Sequence, residues 1–242
     1  MADDLPAPSE IAEAPLPRRV RWARAAFRRA QLLRARWSLL LACAVLALGG
    51  FIKITAELAE GELDKYDELA LANVVALRQP AWNGSAVDLT ALGSVTVVSL
   101  LCVVSVVLLF IQRDRLGAWQ LILAAVGGAF LSSYFKGALE RARPSHVLKL
   151  VQVSSFSYPS GHSLAAASLY LTLAIIASRH LSTRSARVFV LGGAIALMGC
   201  IGGSRAYLGV HYPSDIAAGL LLGSGWSLLV SALFSYIRAQ RV

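Results

Sequence analysis

The chain has 242 residues, 57% of them hydrophobic and 15% charged, with a mean hydropathy of +0.62 and a formal net charge of +9. That balance excludes a water-soluble domain, because six long apolar segments leave too few polar side chains to coat a soluble bundle. It points to a chain that crosses a hydrocarbon layer several times.

In chain order, the first 36 residues divide into a head rich in Pro, Ala and acids (Met1 to Pro17), expected to be disordered, and a run of eight arginines. Those are Arg18, Arg19, Arg21, Arg24, Arg28, Arg29, Arg34 and Arg36, with Trp22, Phe27, Leu32 and Leu33 available for an apolar face. The run reads as a basic amphipathic helix on an anionic leaflet. Eight arginines would also suit a nucleic-acid arm. Placed directly before an apolar span they are better explained as a topology signal, so no nucleic-acid partner is expected. A secretory signal is not expected either, since no small-residue cleavage site follows a short apolar core.

Residues 37–242 contain six charge-free stretches: Trp37 to Ile52, Leu89 to Gln112, Leu116 to Phe135, Ser163 to Ser178, Val188 to Ser204 and Ile216 to Ile237. A spanning helix needs about 20 apolar residues, and the first, fourth and fifth reach that only with flanking residues. The expected fold is all-α, an integral membrane bundle of six transmembrane helices. Backbone groups in lipid must be bonded internally, and no alternation of the kind a β-barrel requires is present. Between the first two stretches, Leu58 to Leu77 carries apolar residues near helical spacing among acids, the pattern of an amphipathic helix on the outer leaflet.

Cytoplasmic loops collect Lys and Arg, which places both termini inside, together with Arg113, Arg115, Arg179, Arg184, Arg187, Arg238 and Arg241. The first outward loop is acidic, with Glu57, Glu60, Glu62, Asp64, Asp67, Glu68 and Asp88. Two outward loops break the rule: the third holds Arg141, Arg143 and Lys149, and the fifth holds Arg205. Cations kept where topology disfavours them suggest an anion site. Cys43, Cys102 and Cys200 each lie in an apolar stretch at spacings that match no zinc or redox pattern, and they read as packing residues.

Three short segments concentrate the chemistry. If the last helix begins at Pro213, which suits a first helical position, His211 precedes it and Asp215 lies in its opening turn, and the four-residue spacing brings the two side chains together. A carboxylate on one imidazole nitrogen fixes the tautomer and leaves the other lone pair free to attack phosphorus. The bland alternatives are an Asp that favours the helix dipole and an interfacial His. Tyr158-Pro159-Ser160-Gly161-His162 reads as a turn into the fourth spanning helix, with Ser160 as N-cap, Gly161 permitting close approach and free N–H groups for phosphate oxygens. His162 is then placed to protonate a leaving group. Lys136, Arg143 and Arg205 supply cations for a phosphoryl group, though each could equally snorkel at the interface. Arg141 and Lys149 are left out of the site, since nothing around them in sequence adds phosphate chemistry. No cluster has metal-ligand spacing.

Lys136-(six residues)-Arg143-Pro144, Pro159-Ser160-Gly161-His162 and Ser204-Arg205-(five residues)-His211-(three residues)-Asp215 together resemble the three-part signature of the type 2 phosphatidic acid phosphatase superfamily, integral-membrane branch. The motifs cover Lys136 to Asp215, and no signature position departs from the pattern. The resemblance implies a lipid phosphatase that needs neither metal nor cofactor. It implies His211 as nucleophile and future phosphohistidine, Asp215 as its orienting partner and His162 as general acid, with Lys136, Arg143, Ser160, Gly161 and Arg205 holding the phosphoryl group. Tyr158, Pro159, Pro144 and Ser204 would shape the loops, and His146 and His180 have no motif role. The expected partners are membrane lipids and a lipid phosphate or diphosphate: undecaprenyl diphosphate, phosphatidylglycerol phosphate, phosphatidate or phosphorylated lipid A. The expected place is a bacterial inner membrane with the site on the periplasmic face. The choice of lipid and the oligomeric state stay open, as do a phosphotransferase using the same phosphohistidine and a non-catalytic transporter or scaffold. His211, expected at an aqueous interface, should tolerate replacement by Ala without unfolding.

Overall fold

The computed structural model describes residues 18–241, with side chains from residue 35 onward. The head before residue 18 and the proposed apolar face Trp22, Phe27, Leu32 and Leu33 lie outside the described residues and side chains. All regular structure among the described residues is helical: α1 Arg18–Ala59, α2 Asp64–Ala76, α3 Pro80–Ala91, α4 Val95–Ile111, α5 Arg115–Leu139, α6 Gly161–Ala177, α7 Arg184–Tyr207 and α8 Pro213–Ala239. Helix α1 runs unbroken through residue 36, where the sequence suggested a boundary.

All six charge-free stretches fall on helices, but length and composition qualify fewer than six as spans. Four suffice by themselves: Ala35–Ala59 within α1, α5, α7 and α8. A fifth arises if α3 and α4, bent by 46°, are counted as one. The sequence expected Leu89 to Gln112 to be continuous, yet Leu92-Gly93-Ser94 interrupts it, and the Ser94 hydroxyl caps α4 by accepting from the Val97 N–H at 3.3 Å. A β-carbon on Gly93 would lie 2.7 Å from Ile201 Cγ2 and 3.1 Å from the His162 carbonyl, so the break falls where the chain packs tightly against α6 and α7. Helix α6 is short and contains a π-helical turn, Ala167–Leu171, that widens it mid-course.

Large apolar side chains cover the outside of this bundle as well as its core, and the core also carries polar groups. Leu46, Val95, Phe130 and Phe189 point outward, while the interior holds hydroxyls and an amide: Thr172 meets Ser227 at 2.7 Å, and Gln120 donates to Ser231 Oγ at 2.9 Å. In lipid, apolar side chains gain nothing by turning inward, so small residues and interhelical hydrogen bonds hold the helices together. Helix α8 is the axis of this bundle. Its Gly219 and Gly223 lie so close to α6 that β-carbons there would stand 2.5 Å from the carbonyl oxygens of Ser160 and Leu164.

Candidate active site

Four helix ends and the 140–160 loop meet at one end of the bundle. Lys136 occupies the last turn of α5, which closes at Glu140 with φ +42°. Ser160 caps α6, His162 stands in its first turn, Arg205 in the last turn of α7, and Asp215 in the first turn of α8, which starts at Pro213. Arg205 is thus helical rather than a loop residue. The loop is pinned from outside by Arg78, whose Nε donates to Tyr207 O at 2.6 Å and Nη1 to Leu148 O at 2.7 Å. Gly209, at φ +75°, turns the chain between α7 and α8 in a conformation that glycine adopts without cost, and a β-carbon there would meet Arg78 and Leu148.

His211 is buried, with 1% of its surface exposed, and not at an open aqueous interface as the sequence suggested. Its Nδ1 lies 3.4 Å from Asp215 Oδ2 and 3.4 Å from Ser157 Oγ; its Nε2 lies 3.1 Å from Arg143 Nη1. A guanidinium can only donate, so Nε2 is the acceptor and the neutral ring carries its proton on Nδ1, an assignment made from the network. Burial pushes the His211 pKa down to about 4, against the hydrogen bond and charge of Asp215, with Arg143 and Arg205 adding to the depression.

Arg143 spans the loop: Nε donates to Ser155 O and Nη1 to Val210 O, both at 2.6 Å. Lys136 Nζ donates to Phe156 O at 2.5 Å, and its stem lies 3.6 Å from the position of a Gly161 β-carbon. Arg205, 3% exposed, donates from Nη1 to Thr90 Oγ1 of α3 at 3.0 Å, while its buried Nε has no partner among the described residues. A guanidinium held at the cavity wall offers donors suited to the oxygens of an anion.

Lys136, Arg143, Gly161, His162, Arg205 and His211 all line one cavity of about 650 Å³. Beyond them it continues as an apolar gutter between α4, α5 and α6, lined by Val98, Cys102, Val103 and Ala129. Asp215 and Ser160 are fully buried behind its wall. Ser160 Oγ accepts from Ser163 N–H at 3.4 Å and Ser163 Oγ at 3.0 Å, and Ser160 N–H donates to Asp215 O at 2.9 Å. Its side chain therefore serves the turn rather than the cavity. His146 lies outside, stacked on Tyr212, and His180 sits at the far end after α6.

Sequence reading discarded Arg141, and the structure reverses that. Arg141 Nη1 donates to Asp215 Oδ1 at 2.7 Å and Ser214 Oγ at 2.8 Å; Nη2 donates to Asp67 Oδ2 at 2.9 Å and Asp64 Oδ1 at 3.1 Å, and the guanidinium lies over the Tyr212 ring. Asp67, 4% exposed, also accepts from the Ser214 N–H at 2.9 Å and from its hydroxyl. Helix α2 is thereby tied to the start of α8. Ser157 was also missed; it donates to Asp215 Oδ2 at 2.5 Å. Partners of Arg141 lie 73 to 77 residues away on either side, so no local spacing marked it. The one available signal was an aspartate in the inward stripe of the amphipathic Leu58 to Leu77 segment.

The fold and site define an integral membrane protein whose helix ends converge on a cationic, histidine-bearing cavity opening into apolar surface. Residues 117–239 match the PAP2 superfamily, and the chain belongs to that family. It is 32% identical over 194 residues to the phosphatidylglycerophosphatase B of Bacillus subtilis (strain 168), covering 79% of this chain and 94% of that protein. It is 31% identical over 131 residues to the undecaprenyl-diphosphatase of Sulfolobus acidocaldarius, covering 52% of this chain and 59% of that one. The crystal structure of a transmembrane PAP2-type phosphatidylglycerolphosphate phosphatase from Bacillus subtilis superposes with a TM-score of 0.75 at 30% identity, over 80% of this chain and 96% of that one. The chain is a phosphoric ester hydrolase of the lipid phosphatase class.

Proposed function

We propose that this protein removes a phosphate from the monoester or diphosphate of a membrane lipid through a phosphohistidine on His211, without metal or cofactor. The observation that carries the reading is His211 Nε2, 3.1 Å from Arg143 Nη1, on the wall of a cavity shared with His162, Lys136 and Arg205, with Nδ1 turned to Asp215. Arg143, Lys136 and Arg205 take the non-bridging oxygens, with the Gly161 backbone and the α6 N-terminus beside them. Nε2 attacks phosphorus while the P–O bond to the lipid breaks and His162 gives its proton to the departing oxygen. Water then yields a proton to His162 and attacks phosphorus, the P–N bond breaks, and inorganic phosphate leaves with His211 restored. Asp215 holds the Nδ1 proton throughout and stabilises the cationic ring of the phosphohistidine. The lipid tail lies in the gutter between α4, α5 and α6.

Residues 37–242 are the catalytic unit, with α6 counted as a sixth, short span and α2 lying at the outer leaflet. The arginine-rich helix ends opposite the site support an orientation with both termini in the cytoplasm and the cavity on the periplasmic side of an inner membrane. The names of the relatives favour phosphatidylglycerol phosphate, undecaprenyl diphosphate and a lipid A phosphate as substrates.

The test is hydrolysis of those three lipids by detergent-solubilised protein in EDTA, followed by acid- and base-quenched trapping with phosphorus-labelled substrate. Turnover in EDTA with a base-stable, acid-labile phosphoprotein that vanishes in His211→Gln is expected. Activity restored only by a divalent cation, or label transferred to a lipid hydroxyl instead of released, overturns it.

A further inference from the structure

At the opposite end of the bundle, outside the catalytic chemistry, four guanidinium groups converge from four helices or their connections. Arg36 of α1 donates from Nη2 to the carbonyl of Ile175 at 3.2 Å and to Ser178 Oγ at 3.1 Å, closing the C-terminal end of α6. Arg179 donates to Gln120 Oε1 of α5 at 2.6 Å, and Arg238 of α8 to Asp114 Oδ1 at 2.6 Å. Arg36 lies within electrostatic reach of Arg187 and Arg238, and Arg179 within reach of Arg238, Arg36 and Asp114. Four positive charges thus face a single carboxylate among the described residues.

Arginines that only set topology are exposed to solvent, as Arg113 and Arg184 are. Arg36, Arg179 and Arg238 instead turn into the bundle and are half-buried. Arg179 Nη1, Arg238 Nε and Ser235 Oγ are buried without a hydrogen-bond partner among the described residues. The two guanidinium N–H groups can only donate and the hydroxyl can donate or accept, so an acceptor serves all three, and the charge excess asks for an anionic one.

Directly alongside runs an apolar pocket of about 390 Å³ between α1, α5 and α8, lined by Trp37, Leu41, Leu123, Trp226, Leu229 and Tyr236. Trp37 and Tyr236, edge to face at 5.8 Å, follow Arg36 and precede Arg238 by one and two residues. A charged head beside an apolar slot at a membrane surface has the complementarity of a phospholipid.

We infer that this cluster and slot bind an anionic phospholipid of the leaflet opposite the catalytic cavity. Its phosphate is held by Arg36, Arg179, Arg187 and Arg238, and one acyl chain lies against Trp37 and Trp226. The phosphodiester is a resident ligand, remote from His211 and not a substrate at this place.

The test uses the full chain in phosphatidylcholine nanodiscs that carry a minority of chain-brominated lipid, either phosphatidylglycerol or phosphatidylcholine. Bromine quenches tryptophan at contact, and subtraction of a Trp37→Phe/Trp226→Phe variant isolates the two slot indoles. Brominated phosphatidylglycerol is expected to quench them with an apparent affinity about fivefold or more above brominated phosphatidylcholine, and Arg36→Gln/Arg187→Gln is expected to erase that preference while lipid hydrolysis persists. Equal quenching by the two lipids overturns the inference. So does loss of the preference in unmodified protein on adding potassium phosphate but not potassium chloride of equal ionic strength, since the cluster would then hold free phosphate.

Discussion

Asp215 is fully buried, and a buried carboxylate is costly unless donors meet both oxygens. Oδ2 accepts from Ser157, from the Tyr212 N–H at 2.9 Å and from His211, and Oδ1 from Arg141. Arg141 therefore acts through Asp215 on the orientation of His211. Replacing it with Gln strands two buried carboxylates and is expected to cost about 3 kcal/mol, read as a lowered melting temperature in detergent, and to depress kcat more than KM. Arg141→Lys should recover little of either, since a single ammonium cannot fork between Asp215 and Asp67. His211→Ala is expected to abolish turnover and, because the ring is buried, to destabilise the fold by about 1–3 kcal/mol as well; His211→Gln separates the two effects. With His211 as the nucleophile, its depressed pKa is expected to put the acid limb of kcat/KM near 4, not near the 6.5 of a free imidazole. For stability, the unfolded chain binds the proton that folded His211 refuses, so this residue's contribution is intact above about pH 6.5 and erodes as pH falls toward 4. A pH–rate profile with an acid limb at 6 or above contradicts the assignment.

Between elements, close approach decides more than area. Gly219 and Gly223 fall on one face of α8, four residues apart, and admit the backbone of α6 and its cap. This contact carries the Ser160 turn, and with it His162, onto Asp215. Gly223→Ala must push a β-carbon against the Leu164 carbonyl oxygen at 2.5 Å, a rigid neighbour. The expected result is a loss of about 1–3 kcal/mol by thermal denaturation, with lower turnover from a displaced α6. The two glycines are visible in the sequence within a charge-free stretch, yet nothing there says which helix they face. Helix α2 poses the converse case. Its amphipathic pattern was legible, and the acids were counted toward topology, but Asp67 points inward to Ser214 and Arg141. A periodic pattern gives the face of a helix, and only the fold gives what that face meets.

For the whole molecule, the cavity joins a cationic head to an apolar gutter, an arrangement suited to a substrate that reaches the site with its tail still in lipid. Ala129 lines that gutter away from the phosphate end. Ala129→Trp is expected to lower kcat/KM for a long-chain lipid phosphate about tenfold, the loss of roughly 1.4 kcal/mol of tail burial, and to leave a water-soluble aryl phosphate within about twofold. Parallel assays of the two substrates check it, and an equal loss on both places the tail elsewhere.

The sequence by itself determined the all-helical membrane class, the family and the inventory of His211, His162, Asp215, Lys136, Arg143 and Arg205, because hydropathy and short motifs are local properties. It also placed Pro213 at the head of the last helix, which put His211 and Asp215 side by side. The tertiary structure decided what depends on distant partners: the break at Gly93, the inward turn of Ser160, the burial of His211 and the bond from Arg141 to Asp215. Each of those is settled by which backbone or charge lies across a helix interface, and interfaces between residues more than 50 apart leave no spacing to read.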